Sequence, residues 1–461
     1  GVGAGEFILL TGQSGCGKTT LTRILNGLCP QFYPGEMRGT YRLCGRDASQ
    51  IPIHEIGSIV GSVFQDPRSQ FFAVNTTDEV VLGMENQNKT RGEMQKSIAG
   101  LSALFQLDRL LNQSIFTLSS GEKQQIAISA VCAMAPRVLV LDEPSANLDS
   151  ESIARLGMLL FRLKSAGTTI ILSEHRLHYI SNMFDRMVLM ENGAICEVFS
   201  KERALALEQS LRAYGLRLFR APELKVSGTI ANGESPYLQT QQISLQKNGC
   251  DLLDEVSISA FKGKVLAIAG KNGAGKSTLC RVITGLNKQS AGSVLLNGEL
   301  LKRKKRIRSS FFVQQDADFQ LYGASVEDEF RMGNGRRRTY EAISHALEQV
   351  GLSELKARHP ASLSGGQKQR LLIALASVSQ TELLVFDEPT SGLDGKNMVR
   401  IADLLRRLAR QGKCVLMVTH DVDLISLAAD SVCYMDGGKL LYHKAIAKEK
   451  TECLLPEQKC V

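Results

Sequence analysis

Short unbroken apolar runs, separated by longer mixed stretches, set the rhythm of this chain. Residues 7–10 (FILL) and 265–268 (VLAI) each feed a glycine-rich turn that runs into a stretch of helical spacing. Residues 138–141, 169–172, 383–386 and 415–418 are also apolar and of strand length. Runs apolar on both faces predict parallel strands covered by helices on each side, so the expected fold class is α/β. Residues 200–217 place leucines at helical spacing and predict a closing helix. Residues 228–240 are polar, with Gly and Pro, and predict a linker. Alternation at Ile243 and Leu245 then opens a second domain near Gln241. The expected division is 1–217, linker 218–240, 241–446 and a tail 447–461. The first domain has far fewer residues before its glycine-rich turn than the second, so its opening strand is expected to be missing, along with part of the natural N-terminus. No run approaches the roughly 20 apolar residues of a membrane-spanning helix.

Composition changes this picture only a little. The chain has 461 residues, 43% hydrophobic and 22% charged, which excludes disordered and collagen-like classes and allows two to four domains. A net charge of +8 is too small to mark a nucleic-acid binder. Part of it lies in two basic runs, residues 302–308 and 336–338, which read either as contacts to nucleic acid or anionic lipid or as solvated faces. The 11 cysteines are odd in number and contain no CxxC, a pattern of reduced cytosolic thiols rather than a disulfide frame.

The chain repeats itself. Gly12-Gln13-Ser14-Gly15-Cys16-Gly17-Lys18-Thr19 and Gly270-Lys271-Asn272-Gly273-Ala274-Gly275-Lys276-Ser277 both satisfy GxxxxGK[ST]. Each is followed, in the same order, by Gln-Asp (Gln65, Gln315), by Leu-Ser-x-Gly (Ser119, Ser364), by Asp-Glu-Pro (Asp142-Glu143, Asp387-Glu388) and by a strand ending in His (His175, His420). Ser119 to Asp142 and Ser364 to Asp387 are both 23 positions, and Asp142 to His175 and Asp387 to His420 are both 33. Two copies of one domain are expected.

Each mark carries chemistry. Glycine-rich loops turn tightly and present backbone N–H groups to phosphate, with the positive end of the following helix behind them. Lys18 and Lys276 would reach the β- and γ-phosphates, and Thr19 and Ser277, followed by Thr20 and Thr278, place hydroxyls for Mg²⁺. Asp142 and Asp387 end apolar strands and can hold Mg²⁺ through water, while Glu143 and Glu388 are placed to accept a proton from an attacking water. The Gln65 and Gln315 amides can bridge Mg²⁺ or water to a moving element. His175 and His420, recurring at equal offset, suit the γ-phosphate. Neither half gathers ligands at spacings that suit a zinc site.

The series resembles the ATP-binding cassette family: Walker A, Q-loop, LSGGQ signature, Walker B, D-loop (Asp149, Asp394) and H-loop. The resemblance implies two P-loop nucleotide-binding domains in tandem, each with a helical signature subdomain. They would pair head to tail around two ATP and Mg²⁺. Site one would be completed by Ser364, Gly365, Gly366 and Gln367, which match the family pattern. Site two would be completed by Ser119, Ser120, Gly121 and Glu122, where Ser120 and Glu122 replace Gly and Gln and predict slower turnover. The aromatic residue that usually stacks on adenine has no counterpart; the second domain has Leu245, Gln246 and Lys247 there. Cys16, inside the first loop, is expected to be an alkylation-sensitive, ATP-protected thiol.

Gln65-Asp66-Pro67-Arg68-Ser69-Gln70-Phe71-Phe72 and Gln315-Asp316-Ala317-Asp318-Phe319-Gln320-Leu321-Tyr322 look like the Q-loop extension of energy-coupling factor importers. That resemblance implies an ATPase on the cytoplasmic face of a prokaryotic membrane. Its partners would be a transmembrane subunit and a small substrate-binding membrane subunit, and its cargo a vitamin or transition-metal ion, with no nucleic acid. Fused sugar-importer ATPases and soluble tandem cassettes acting on ribosomes are the alternatives. The short, mostly uncharged linker disfavours the ribosomal one.

Overall fold

The computed structural model describes residues 1–228, 235–332 and 339–447. The basic run 336–338 and all but the first residue of the expected tail lie outside them. The chain forms two compact units, the first built on Gly1–Arg220 and the second beginning at Ala221.

The first unit folds around a six-stranded sheet in the order Val60–Val63, Val138–Asp142, Thr169–Ser173, Phe7–Gly12, Arg186–Glu191, Ala194–Ser200. All neighbours are parallel except the last pair. Its central strands are buried along their whole length, as unbroken apolar runs require. Register places Gly12 beside Met190, and Leu10 and Asp142 beside Ser173, so the carboxyl ends of three strands meet along one edge. The helices Thr76–Asn86, Arg91–Phe105 and Ser120–Ala133 form the helical part, joined to the sheet by a core that includes Val80, Phe105, Leu107 and Ile126.

The second unit repeats the parallel core in the order Ser310–Val313, Leu383–Asp387, Cys414–Val418, Val265–Gly270, Ser431–Asp436, Lys439–Ile446. It adds an antiparallel sheet in which Leu238–Lys247 lies between Cys250–Val256 and Ala291–Leu296. In the first unit the described residues between the helices Lys18–Leu25 and Ile53–Ile59 carry, in place of that sheet, a two-stranded hairpin of Arg42–Leu43 with Arg46–Asp47.

Three local differences from the sequence expectation have physical causes. The strand Leu238–Lys247 begins inside the stretch read as linker, because a register shift between Gln241 and Ser244 reverses side-chain parity. Leu238 and Thr240 are buried before the shift and Ile243 and Leu245 after it, so plain alternation was visible only from Ile243. Val226–Ser227 pairs with Ala445 and Ile446, a two-residue edge too short to leave a pattern. The closing helix is broken into Lys201–Ala206 and Glu208–Leu211, then ends at Gly215 in the left-handed region (φ 73°).

Candidate functional site

In each unit the glycine-rich loop leaves the carboxyl end of the central strand, where open α/β sheets bind ligands. Gly12 has φ 152°, and a Cβ there would lie 2.2 Å from the Met190 carbonyl oxygen; at Gly270, with φ 144°, it would lie 2.1 Å from that of Met435. No side chain fits at either position. Gly17 and Gly275 take left-handed caps on Lys18–Leu25 and Lys276–Ile283 with no side chain bonded to the helix end, leaving its N–H groups for an anion.

The lysines fold back into the loops. Lys18 Nζ, 4% exposed, donates to the carbonyls of Gly12 and Gln13 at 3.1 and 3.2 Å. Lys276 Nζ donates to those of Gly270 and Lys271 at 2.8 and 2.7 Å. A cationic amine held on carbonyl oxygens is poised for phosphate oxygens, which hold it more strongly.

In the first unit four sequence-predicted residues converge. Glu143 lies 3.1 Å from His175 Nε2 and 3.9 Å from Lys18 Nζ, and accepts from Gln65 Nε2 at 3.0 Å. Burial pushes the Glu143 carboxyl up, but the His175 hydrogen bond and the His175 and Lys18 charges outweigh it, holding the group below the usual range. In the second unit Glu388 lies 2.8 Å from His420 Nδ1, and Gln315 offers its backbone oxygen to Gln369 Nε2 at 3.2 Å. Both glutamates have left-handed backbones, φ 46° and 48°, a conformation rare outside glycine and asparagine. Strain repeated at the same place in both copies marks a functional turn.

The two aspartates fit Mg²⁺. Asp142 Oδ1 is buried with no hydrogen-bond partner, an acceptor suited to a cation or water. Burial pushes its carboxyl up, the Thr19 hydroxyl opposing and the Glu143 charge adding. Asp387 accepts from Ser277 Oγ at 3.0 Å, and burial pushes it up to about 6 against that hydroxyl. One carboxylate and one hydroxyl form the hard oxygen set that Mg²⁺ takes when water and phosphate supply the rest. Among the described residues no cluster of three or more His, Cys, Asp or Glu forms a denser metal site.

The signature residues stand at helix starts, outside these clusters. Ser119 caps Ser120–Ala133 and Ser364 caps Gly365–Ser377, each in a reciprocal capping box. Glu122 accepts from the Ser119 N–H at 2.8 Å and from its hydroxyl at 2.7 Å; Gln367 Oε1 accepts from the Ser364 N–H at 2.8 Å. The Glu-for-Gln departure therefore keeps the cap and adds a charge. A Cβ on Gly121 would lie 2.2 Å from Ser152 Oγ, so this glycine is required by packing. Asp149 caps Ser150–Ser165 through the Ser152 N–H at 2.9 Å; Asp394, equivalently placed after Leu383–Asp387, is buried.

Several residues were missed as working parts of the site. Gln70 Oε1 accepts from the Phe64 N–H and its Nε2 donates to the Ser62 carbonyl; Gln320 does the same with Gln314 and Phe312. Glu79 then accepts from the Phe72 and Ala73 N–H groups, and Glu329 from Gly323. These side chains staple the Q-loop into one shape. Their recurrence in both halves was the available signal. Buried Glu174 braces the first H-loop by accepting from the His175 and Arg176 N–H groups and the Tyr179 hydroxyl, and nothing in the second half matches it to have revealed it.

Cys16 is 4% exposed, with Sγ 4.0 Å from Lys18 Nζ. Quick alkylation is not to be expected of it. Peptide mapping after timed maleimide labelling should find exposed Cys44, Cys196 and Cys250 modified first and Cys16 at least about tenfold more slowly. Mg-ATP should slow Cys16 further.

Comparison with known proteins places the chain in one family. The ABC transporter family model matches residues 1–146 and 253–391. An ABC transporter ATP-binding protein of Treponema denticola is 39% identical over 453 residues, spanning 97% of this chain and 92% of that one. One from Methanosarcina mazei is 32% identical over 492 residues, spanning 95% and 83%. The solved structure of the archaeal ribosome recycling factor aABCE1 with the ribosomal stalk protein aP1 shares the tandem fold at TM-score 0.67 and 20% identity, over 96% of this chain and 87% of that one. The chain belongs to the ABC transporter family as a tandem of two ATP-binding cassettes. It is an ATPase.

Proposed function

We propose that this chain is the ATP-hydrolysing motor of a membrane importer of the energy-coupling factor type, with two ATP sites that draw on both cassettes. In the first, water attacks the γ-phosphorus, Glu143 takes its proton, and the bond to the β-phosphate oxygen breaks. Lys18 and the loop N–H groups hold the phosphates, His175 orients Glu143, and Ser364 with Gly365, Gly366 and Gln367 closes over the γ-phosphate. Glu388, Lys276, His420 and Ser119 do the same in the second site. Thr19 with Asp142, and Ser277 with Asp387, would hold Mg²⁺, which neutralises the charge that develops on the transferring phosphoryl group.

The observation that carries the transport reading is the Q-loop surface. Phe72 is 83% exposed, Phe319 67% and Tyr322 71%, on loops held rigid by Gln70, Glu79, Gln320 and Glu329. Exposed aromatics on a fixed support are what a partner protein uses as anchors. In the first cassette the same loop carries Gln65, bonded to Glu143, so pressure on the aromatics is felt at the proton acceptor.

Purification from gently solubilised membranes tests this. The chain is expected to bring down a polytopic membrane protein, and Phe72→Ala with Tyr322→Ala is expected to weaken that association at least about 30-fold. Sedimentation with ribosomes and no membrane partner would overturn it.

A further inference from the structure

The basic run 302–308 is absorbed by none of the chemistry above. It forms the helix Arg303–Ser309, immediately before the strand that leads into the second Q-loop. The first cassette has its counterpart in Ile53–Ile59, before Val60–Val63. The repeat therefore contains its own control for what the fold requires here.

The fold does not require positive charge. The first copy reads IHEIGSI and the second RKKRIRS. At the fourth position Ile56 is 1% exposed and packs where a Cβ on Gly27 would be 2.7 Å from its Cδ1. Arg306 takes that position in the second copy: it is 2% exposed, and a Cβ on Gly285 would lie 3.2 Å from its Cβ. Arg306 Nη2 donates to Gln289 Oε1 at 2.8 Å, but Nε and Nη1 are buried without partners. Burial and the Arg303 charge press its pKa downward. An arginine with unmade hydrogen bonds, where the sister copy packs isoleucine, is costly to the fold and sets a buried positive charge beneath the exposed run.

The surroundings identify the ligand. Lys302, Arg303, Lys304, Lys305 and Arg308 are exposed, and Lys288 lies on the adjoining loop. Among the described residues none of the six basic side chains of the run forms an ion pair, and nearby Glu299 is exposed. In the first copy, by contrast, Glu55 pairs with Arg46. Leu286, Leu300 and Ile307 are exposed beside the cations at 42%, 69% and 44%, and Arg303 is tied to Gly285 and Leu286 through their carbonyls. Residues 284–309 contain no aromatic side chain. Base stacking, on which single-stranded nucleic acid depends, has no platform here. Cations interleaved with aliphatics suit headgroups and the outer acyl region of a bilayer.

We propose that this patch of the second cassette binds an anionic phospholipid surface, its exposed cations engaging headgroup phosphates, the buried Arg306 charge adding to their field, and Leu286, Leu300 and Ile307 entering the interface. The proposal goes beyond the transport reading and stands without it, because it needs no transmembrane partner.

The test is sedimentation of the full chain with lipid vesicles. The chain should pellet with vesicles of about 30% phosphatidylglycerol in phosphatidylcholine and not with phosphatidylcholine alone, and binding should fall steeply from about 50 to 300 mM salt. Changing Lys302, Lys304, Lys305 and Arg308 together to Gln should weaken partitioning about fivefold per residue, several-hundred-fold in all, with ATPase activity in solution unchanged. Arg306→Ile, which reproduces the first copy, should fold with an unchanged circular dichroism spectrum and lose about fivefold. Equal pelleting with neutral vesicles, or full binding by the fourfold variant, would overturn the proposal. So would a patch-dependent retention on poly(U) RNA without vesicle binding. Unaltered binding by the Arg306→Ile variant would overturn the part given to Arg306. None of these outcomes depends on whether the chain co-purifies with a membrane partner.

Discussion

The double change Glu143→Gln and Glu388→Gln is expected to lower kcat by about two to four orders of magnitude while leaving ATP affinity within about twofold. The amide is nearly isosteric with the carboxylate but cannot accept the proton of the attacking water. Glu143 suits the task because its carboxyl is held ionised: the His175 hydrogen bond and the cations beside it outweigh burial. The single variants divide the work between sites. Under the proposed function, site two would draw on Ser119, Ser120, Gly121 and Glu122, and Glu122, which caps through the Ser119 N–H and hydroxyl, carries a negative charge that the equivalent Gln367 lacks. Glu143→Gln alone is therefore expected to cost more activity than Glu388→Gln alone. Steady-state kinetics on purified variants, with nucleotide binding by equilibrium dialysis, decides it. A double variant with undiminished turnover would remove both glutamates from the chemistry.

Gly270→Ala is expected to destabilise the second cassette by about 3 kcal/mol and to reduce ATP affinity at least about 100-fold. Its added Cβ would lie 2.1 Å from the Met435 carbonyl oxygen, and at φ 144° the backbone cannot rotate away without unwinding the loop that carries Lys276. Gly273→Ala, three residues on, is the internal comparison. It has φ 78° but nothing within 4 Å of the new methyl, so only the left-handed strain of about 1 kcal/mol applies. In thermal unfolding Gly270→Ala should lower Tm by roughly 6–12 °C and Gly273→Ala by roughly 2–4 °C. Equal shifts would show that the close approach at Gly270 is relieved by movement of the neighbouring strand.

The polar residues divide into those that repetition exposed and those it did not. Lys18, Gln65, Glu143 and His175 recur in the same order as Lys276, Gln315, Glu388 and His420, so their role as a set was legible before any coordinates. Gln70 and Gln320 also recur, but their work as staples across the Q-loop depends on the backbone groups of Ser62, Phe64, Phe312 and Gln314, which become partners only when strand and loop fold back together. Glu174 has no counterpart, because the second H-loop is braced by other bonds: Asp421 donates its N–H to Thr419 and accepts from Thr390.

The sequence by itself determined the class of fold, the duplication and the chemical inventory. Apolar runs of strand length must be buried on both faces, and glycine and lysine at fixed spacing form a phosphate loop wherever a strand precedes them. Only tertiary structure decided that Glu143 is held ionised, that Cys16 is sealed inside the loop, and that Arg306 occupies the place of a core isoleucine with two of its donors unmet. Those properties depend on what burial takes away from water and on which groups far along the chain replace it.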